Sequence, residues 1–318
     1  MGQVEQSGAN AAAAVDVCVC TFRRPHLYDT LASIAAQTGA PELRVIVADN
    51  DDITSATEIV ERARAQLGLV IHYIHAPARN ISVARNACLD AATASLVAFL
   101  DDDERAAPGW LHAMVTSITD HGAVFGPVRA VYPAGTPNWL SAGDFHSTGP
   151  TILADGTIRT GYSGNVLLRR DAIGPLRFDP ELGRVGGEDS VFFAQLFQRG
   201  VKLGFASGGA AEEDVPANRL NLSWLLRRSF RAGQTAARMA RLRGESDFVL
   251  AALSVAKASY CAAAALLTAW SPLRSRRNLI RGALHVGALA KALGARDLVM
   301  YGAPDQAASQ SARPASTP

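Results

Sequence analysis

The chain has 318 residues, room for one large α/β domain with an appendage or for two smaller domains. With 48% hydrophobic and 19% charged residues, 27 Gly and 15 Pro, it falls outside the disordered, collagenous and disulfide-scaffold classes. The formal charge of +2 conceals an asymmetry, because residues 1–216 hold 16 basic against 25 acidic side chains and residues 217–318 hold 15 against 4.

Residues 1–14 read as a flexible arm with no basic segment ahead of an apolar core, so no signal peptide is visible and a cytoplasmic location is expected. Val15 to Cys20 is a β-branched and Cys run that predicts a strand. Cys18 and Cys20 lie two apart on one face of it and read as small buried hydrophobes rather than metal ligands. His26 to Gln37 follows with Leu27, Leu31 and Ile34 at helical spacing. The alternation continues through Leu43 to Ala48 (strand), Thr54 to Ala65 (helix), Val70 to Ile74 (strand), Val83 to Ala92 (helix) and Leu96 to Leu100 (strand). Four strands separated by helices predict an α/β fold with a doubly wound, mostly parallel sheet covered on both faces.

Past Asp103 the rhythm changes. Pro108 opens a helix through Ile118, Ala123 to Val131 predicts a strand, and Pro133 to Gly161 is a loop-rich stretch suited to facing a substrate. Val166 to Arg169 and Lys202 to Ala206 predict strands around a helix over Ser190 to Arg199. From Leu222 onward no strand pattern survives. Phe248 to Trp270 is apolar and Ala-rich, broken by Lys257 near its middle, and a basic turn (Arg274, Arg276, Arg277, Arg281) leads into apolar Leu279 to Leu293. That pattern predicts a helical hairpin on the inner membrane surface, shallow rather than spanning, since a mid-helix Lys costs roughly 2.5–3.5 kcal/mol on insertion. An Ala-rich pair packed on the catalytic domain is the alternative. The expected division is an arm over 1–14, a catalytic domain over 15–235, a helical region over 236–302 and a disordered tail over 303–318.

Ligands of an open parallel sheet bind outside the carboxyl ends of its strands. Here those ends carry Thr21-Phe22-Arg23-Arg24, Asp49-Asn50-Asp51-Asp52, Asn80 to Asn86 and Asp101-Asp102-Asp103. No Gly-rich phosphate loop is present, so a bound phosphate needs another counter-charge. Carboxylates one residue apart after a buried strand can hold a hard divalent cation that bridges a diphosphate. Gly186-Gly187-Glu188-Asp189 places two carboxylates at a helix start, as a cap or as a general base. Arg227, Arg228 and Arg231 share a helical face and could grip phosphate.

This ordered series resembles the inverting glycosyltransferases of family 2, which have the GT-A fold, and within them the branch that elongates bacterial exopolysaccharides such as succinoglycan. The resemblance covers roughly Val15 to Arg231: the Cys-Thr-Phe-Arg-Arg-Pro opening, Asp49-Asn50, Asn80 to Asn86, Asp101 to Asp103, Gly164-Asn165, Glu188-Asp189 and the Arg227 to Arg231 cluster. It implies a nucleoside-diphosphate sugar donor, probed by Thr21, by Asp49 at the uracil imide, by Asp101 near the ribose, and by Arg85, Arg227, Arg228 and Arg231 near the phosphates. It implies Mg2+ or Mn2+ on Asp103 and Asp101, and Asp189 as the base for the acceptor hydroxyl. Trp139, Gly164, Asn165 and Glu188 are expected on the acceptor side, the acceptor being a glycan or a lipid-linked oligosaccharide. No nucleic-acid partner is expected. Related enzymes often carry a His metal ligand after the last strand, where this chain reads Glu212-Glu213-Asp214, so no third ligand is assigned.

Competing classes fit less well. A nucleotidyltransferase would bring a Gly-rich basic loop after the first strand, and a phosphatase its Asp-x-Asp there rather than after the fourth. A degenerate GT-A-like subunit that binds nucleotide sugars or aids assembly would be expected to lose the base or metal aspartates.

Overall fold

The computed structural model describes residues 15–299; the expected arm over 1–14 and tail over 303–318 lie outside the described residues. Strand β1 (Val15–Thr21) is buried along its whole length. Its single carboxylate, Asp16, is held by Arg44 at 2.8 Å and by the Thr93 and Ala94 amides. β1 pairs in parallel with β2 (Leu43–Asp49) and with β4 (Leu96–Leu100), and β2 pairs in parallel with β3 (Ile71–His75). Helices α1 (Leu27–Ala35) and α2 (Thr57–Leu67) cover one face of this sheet through Leu27, Leu31, Ile34 and Val60. Helix α3 (Ile81–Ala91) covers the other, setting Ala84 and Cys88 among Cys18, Cys20 and Ile46. The alternation of apolar runs and amphipathic helices is thus the layer architecture itself.

Strand β5 (Glu104–Ala106) leaves the acidic run after β4, and α4 (Trp110–Ser117) buries Trp110, Leu111 and Met114. The single strand expected over Ala123 to Val131 is two, β6 (Ala123–Phe125) and β7 (Val128–Val131), which join different sheets. Gly126 and Pro127 separate them, and Pro127 has no amide to continue a ladder. After α5 (Asn138–Ser141), β8 (Asn165–Arg169) runs antiparallel between β4 and β6, and α6 (Arg170–Ile173) follows it. Helix α7 (Glu188–Gln198) and β9 (Leu203–Phe205) complete a seven-stranded sheet of order β3-β2-β1-β4-β8-β6-β9. The acidic Glu212-Glu213-Asp214 segment, which follows the last strand expected from sequence, is strand β10 (Ala211–Asp214), which joins β5 and β7 in a small second sheet.

Three 21-residue helices end the described chain: α8 (Leu222–Leu242), α9 (Asp247–Leu267) and α10 (Pro272–Ala292). The boundary expected at residue 235 falls inside α8, which runs unbroken from the catalytic cleft into the helical unit. α8 and α10 approach through reciprocal glycines, since a Cβ on Gly233 would strike the Leu284 carbonyl and one on Gly287 the Phe230 carbonyl. α9 packs on α10 and turns an apolar face outward; Phe248, Leu266 and, in the turn just past its end, Trp270 are more than three-quarters exposed. By length and composition α9 is the one helix among the described residues that could cross a membrane.

Candidate active site

A cleft of about 630 Å³ opens at the carboxyl ends of β1, β2 and β4 and is closed by the turn before α7, by β10 and by the first turns of α8. Thr21, at the end of β1, lines it together with Phe22, Arg23 and Arg24. Arg23 donates to Asp51 at 2.8 Å, an ion pair that holds the Asp51 carboxyl below its ordinary range. Arg24 spans Asp102 and Asp103, at 3.4 and 3.1 Å.

At the end of β2 the residue expected at the base does not reach the cleft. Asp49 is fully buried and accepts from the Asp51 amide (3.1 Å), the Ala56 amide (2.8 Å) and the Tyr73 hydroxyl (2.8 Å). Its two oxygens are used in tying β2 and β3 to the start of α2, and it does not line the cleft. The next residue does: Asn50 faces the cleft with a buried Oδ1 that has no partner. Asn50 lies just past the end of β2, so strand alternation does not bind it, and it faces the cleft while Asp49 stays in the fold.

Below β4, Asp101, Asp102, Asp103 and Glu104 all line the cleft. Gly164 lets them crowd, because a Cβ there would come within 2.8 Å of Glu104 Oε1 and 2.9 Å of Asp101 Oδ2. Burial pushes the Asp102 carboxyl up to about 7, against the pull of Arg24. Loss of hydration, with Arg85 opposing and Asp103 reinforcing, raises Asp101. Burial and then the charges of Asp101, Asp103 and Glu213 raise Glu104 well above its ordinary range, and Glu104 Oε2 is buried without a partner. Glu213, directly across the ladder from Glu104, is raised by burial and by Asp103 and is tied to Arg219 at 2.6 Å. Among the described residues no three His, Cys, Asp or Glu side chains form a ready metal cage. The donor set is nonetheless all hard oxygen and mutually repelling, which fits a dication held by two carboxylates and completed by substrate phosphate. Glu104 belongs to no sequence motif, and Glu213 falls in the acidic segment that has no ligand role assigned from sequence; the short strands β5 and β10 that align them carry too little pattern to read.

The turn before α7 brings the second carboxylate pair. Glu188 is buried and ion-paired to Arg85 at 2.6 Å, while Arg85 also lies 3.6 Å from Asp101. These anions outweigh the burial that would discharge the guanidinium and hold Arg85 firmly cationic. Asp189, half-buried in the cleft wall, has its carboxyl pushed up to about 7 by burial and by the Glu188 charge, with Arg85 and the Ser190 amide pulling the other way. A carboxyl poised near neutrality is matched to proton transfer.

Three expectations fail at the far wall. Arg228 and Arg231 line the cleft, but Arg227 is exposed outside it. Asn165 is fully buried and structural, accepting from Trp110 Nε1 (2.8 Å) and donating to the Gly209 and Pro127 carbonyls. Trp139 packs 4.2 Å beneath the Arg276 guanidinium of α10, away from the cleft. The tryptophan in the cleft is Trp224, stacked on His146 with ring centroids 5.3 Å apart and flanked by Arg219 and Arg228.

Comparison with known proteins bears on the family and the fold. The family described as "Glycosyl transferase family 2" matches residues 16–176. The succinoglycan biosynthesis protein ExoM of Rhizobium meliloti (strain 1021) is 45% identical over 298 residues, 91% of this chain and 96% of that protein. The chain belongs to glycosyl transferase family 2. Among solved structures, the mannosyltransferase PcManGT of Pyrobaculum calidifontis, in complex with GDP-Man and Mn2+, superposes with a TM-score of 0.61 at 20% identity, over 90% of this chain and 88% of that one. S. aureus TarS 1-349 in complex with UDP gives 0.50 at 18% identity, over 88% and 92%. At such identities the likeness is one of fold, and the family 2 chain has the expected GT-A fold with an appended helical unit.

Proposed function

We propose that this family 2 glycosyltransferase moves a sugar from a nucleoside diphosphate, UDP foremost, to a lipid-linked glycan at the inner face of the cell membrane, with inversion, in synthesis of a succinoglycan-type exopolysaccharide. The 45% identity to the R. meliloti protein over nearly both full lengths supports the pathway. The observation that carries the chemistry is one cleft holding both Asp189, poised near pH 7, and the Asp101–Asp103 carboxylates.

In this reading Asn50 and Thr21 receive the base end of the donor, Asn50 Oδ1 answering a base N–H that burial would otherwise leave without a partner. Asp103 and Asp101 would hold Mg2+ or Mn2+, whose charge offsets that developing on the leaving diphosphate. Arg228 and Arg231 add positive charge along the same wall. Asp189 removes the proton from the acceptor hydroxyl as its oxygen attacks the anomeric carbon from the face opposite the nucleotide. Direct displacement of that kind inverts the centre and needs no covalent enzyme intermediate.

The test is a screen of UDP- and GDP-sugars for nucleotide release by purified enzyme, followed by NMR of the product. An α-linked donor should give a β-linked product, and excess chelator or Asp103→Ala should abolish turnover. A product that keeps the donor's configuration, or full turnover in chelator, refutes the mechanism.

A further inference from the structure

The turn that carries Asp189 rests on α8. Gly186 and Gly187 take φ of 87° and 90°, values L side chains rarely adopt. A Cβ on Gly186 would collide with the Arg231 guanidinium, and one on Gly187 would come within 2.8 Å of Thr235 Cγ2. Arg231, Thr235 and Arg238 follow one another at i, i+4 and i+7, a single helical face. The last of them donates from Nη1 to the Gly186 carbonyl at 3.1 Å.

Arg238 is itself held from behind. Its Nη2 lies 2.8 Å from Asp297 Oδ2, beyond the end of α10, and Lys291 Nζ lies 2.9 Å from the same oxygen. Gln234, 2% exposed, donates from Nε2 to the Arg296 carbonyl and accepts the Leu298 amide at Oε1, each at 2.9 Å. The Arg238 and Asp297 side chains are 17% and 19% exposed, so their ion pair is largely withdrawn from solvent screening. Gln234, Arg238, Lys291 and Asp297 do not line the cleft, so ligand contact does not account for the arrangement.

We infer that Arg238 and Asp297 are positioning residues: the segment after α10 clamps Arg238, and Arg238 fixes the Gly186–Gly187 turn, which sets where the Asp189 carboxylate enters the cleft. Two consecutive glycines have more backbone freedom than any other pair, and their turn has to be restrained from outside. General-base catalysis is steeply sensitive to that restraint, since a misplacement of about 1 Å costs on the order of 100-fold. The kinetic half of this inference rests on Asp189 being the base as proposed above; the structural half does not.

Hydrogen exchange and kinetics on the full-length enzyme separate the two. In Arg238→Ala and Asp297→Asn, amides over 185–190 should exchange at least tenfold faster while those of β1 and β4 keep their protection, and UDP affinity by calorimetry should stay within twofold. UDP-glucose hydrolysis should fall tenfold or more, with the midpoint of its pH profile displaced. Arg238→Lys keeps the charge opposite Asp297 but lacks a second donor arm, and should fall between, which covers the case of an alanine variant that folds poorly. Unchanged exchange over 185–190, acceleration spread through the sheet, or parallel loss of UDP binding would overturn the clamp. Wild-type enzyme that releases no UDP from UDP-glucose would count against the donor reading, and the exchange data would still decide the clamp.

Discussion

Arg85 Nη1 lies 2.6 Å from Glu188 Oε1, and the two side chains are 7% and 8% exposed. The pair joins α3 to the first turn of α7 and sets a full positive charge near both Asp101 and Asp189. Removing one partner of a buried pair strands the other, at a cost of about 3–5 kcal/mol. Arg85→Ala is therefore expected to lower Tm substantially and, by removing a cation that holds Asp189 down, to move the midpoint of the pH–rate profile above that of the wild type. Arg85→Lys keeps the charge and should preserve the midpoint with a smaller loss of Tm. Thermal unfolding and a pH–rate series check both.

Asp189→Asn is isosteric but cannot accept a proton. Nucleotide binding should survive, and turnover should fall by about 100-fold or more. In the wild type, turnover should rise with pH through about 7, because only the ionised carboxylate is a base. A flat profile between pH 5 and 9, or an Asn variant near wild-type rate, removes Asp189 from the role.

The layer order was legible because β1 to β4 are long apolar runs and the helices between them keep helical spacing; a parallel sheet then puts its strand ends on one edge. That logic points to Asp101 and Asp103 at a strand end, while Glu188 and Asp189 stand out as a carboxylate pair at a helix start, and all four line the cleft. What escaped it depends on contacts that no local pattern encodes. Asp49 and Asn50 are adjacent and both offer an acceptor oxygen, and only the Ala56 and Tyr73 contacts show that Asp49 is tied into the fold. Asn165 sits in a family motif yet serves Trp110 and the Gly209 carbonyl. Trp139, expected on the acceptor side, sits in a loop-rich stretch, and Arg276 of α10, more than a hundred residues later, lies over its ring. β5 and β10 are three and four residues long and mostly charged, too short for an alternation to register.

That exchange between Asp49 and Asn50 gives opposite expectations for adjacent substitutions. Asp49→Asn retains an acceptor for only some of its three donors, and should lower Tm while leaving the affinity for UDP close to wild type per folded molecule. Asn50→Ala should leave Tm nearly unchanged, because its Oδ1 has no partner to lose, and should weaken UDP binding. Calorimetric titration with UDP beside thermal melts distinguishes the two; reversed outcomes would restore Asp49 as the base contact.

The acidic cluster also fixes a sign for stability against pH. Asp102 titrates near 7 in the fold against about 3.9 unfolded, so the native state binds the extra proton in that window. Stability from this group is complete below the unfolded value and is lost as pH rises through about 7. Asp102→Asn should accordingly raise Tm at pH 8 by a few degrees, at about 2–4 °C per kcal/mol for a chain of this size, less whatever the Arg24 contact contributes. The gain should shrink toward pH 5, where the wild-type carboxyl is already protonated. A gain that grows toward acid would mean that Asp102 is ionised throughout.

The outward face of α9 and the basic start of α10 lead to the remaining expectation, that the helical unit docks on anionic lipid. Phe248, Leu266, Leu267 and Trp270 are 70% exposed or more, an apolar strip that the rest of the fold leaves uncovered. Arg274, Arg277 and Arg281 are exposed along the first turns of α10, just beyond the Trp270 end of that strip. Lys257 lies exposed in the middle of α9, where a full span would bury its charge, so the arrangement suits interfacial insertion better than crossing. Each basic residue near an anionic surface contributes about 1 kcal/mol, within a Debye length of it. Full-length enzyme should float with vesicles containing phosphatidylglycerol and much less with pure phosphatidylcholine, and binding should weaken as salt rises. Leu266→Glu with Trp270→Glu should abolish it at any salt, because the apolar strip is lost. Arg274→Glu with Arg281→Glu should remove the preference for anionic vesicles and leave UDP binding intact. Enzyme that stays monomeric without detergent and ignores anionic vesicles would show that the strip does not meet a membrane.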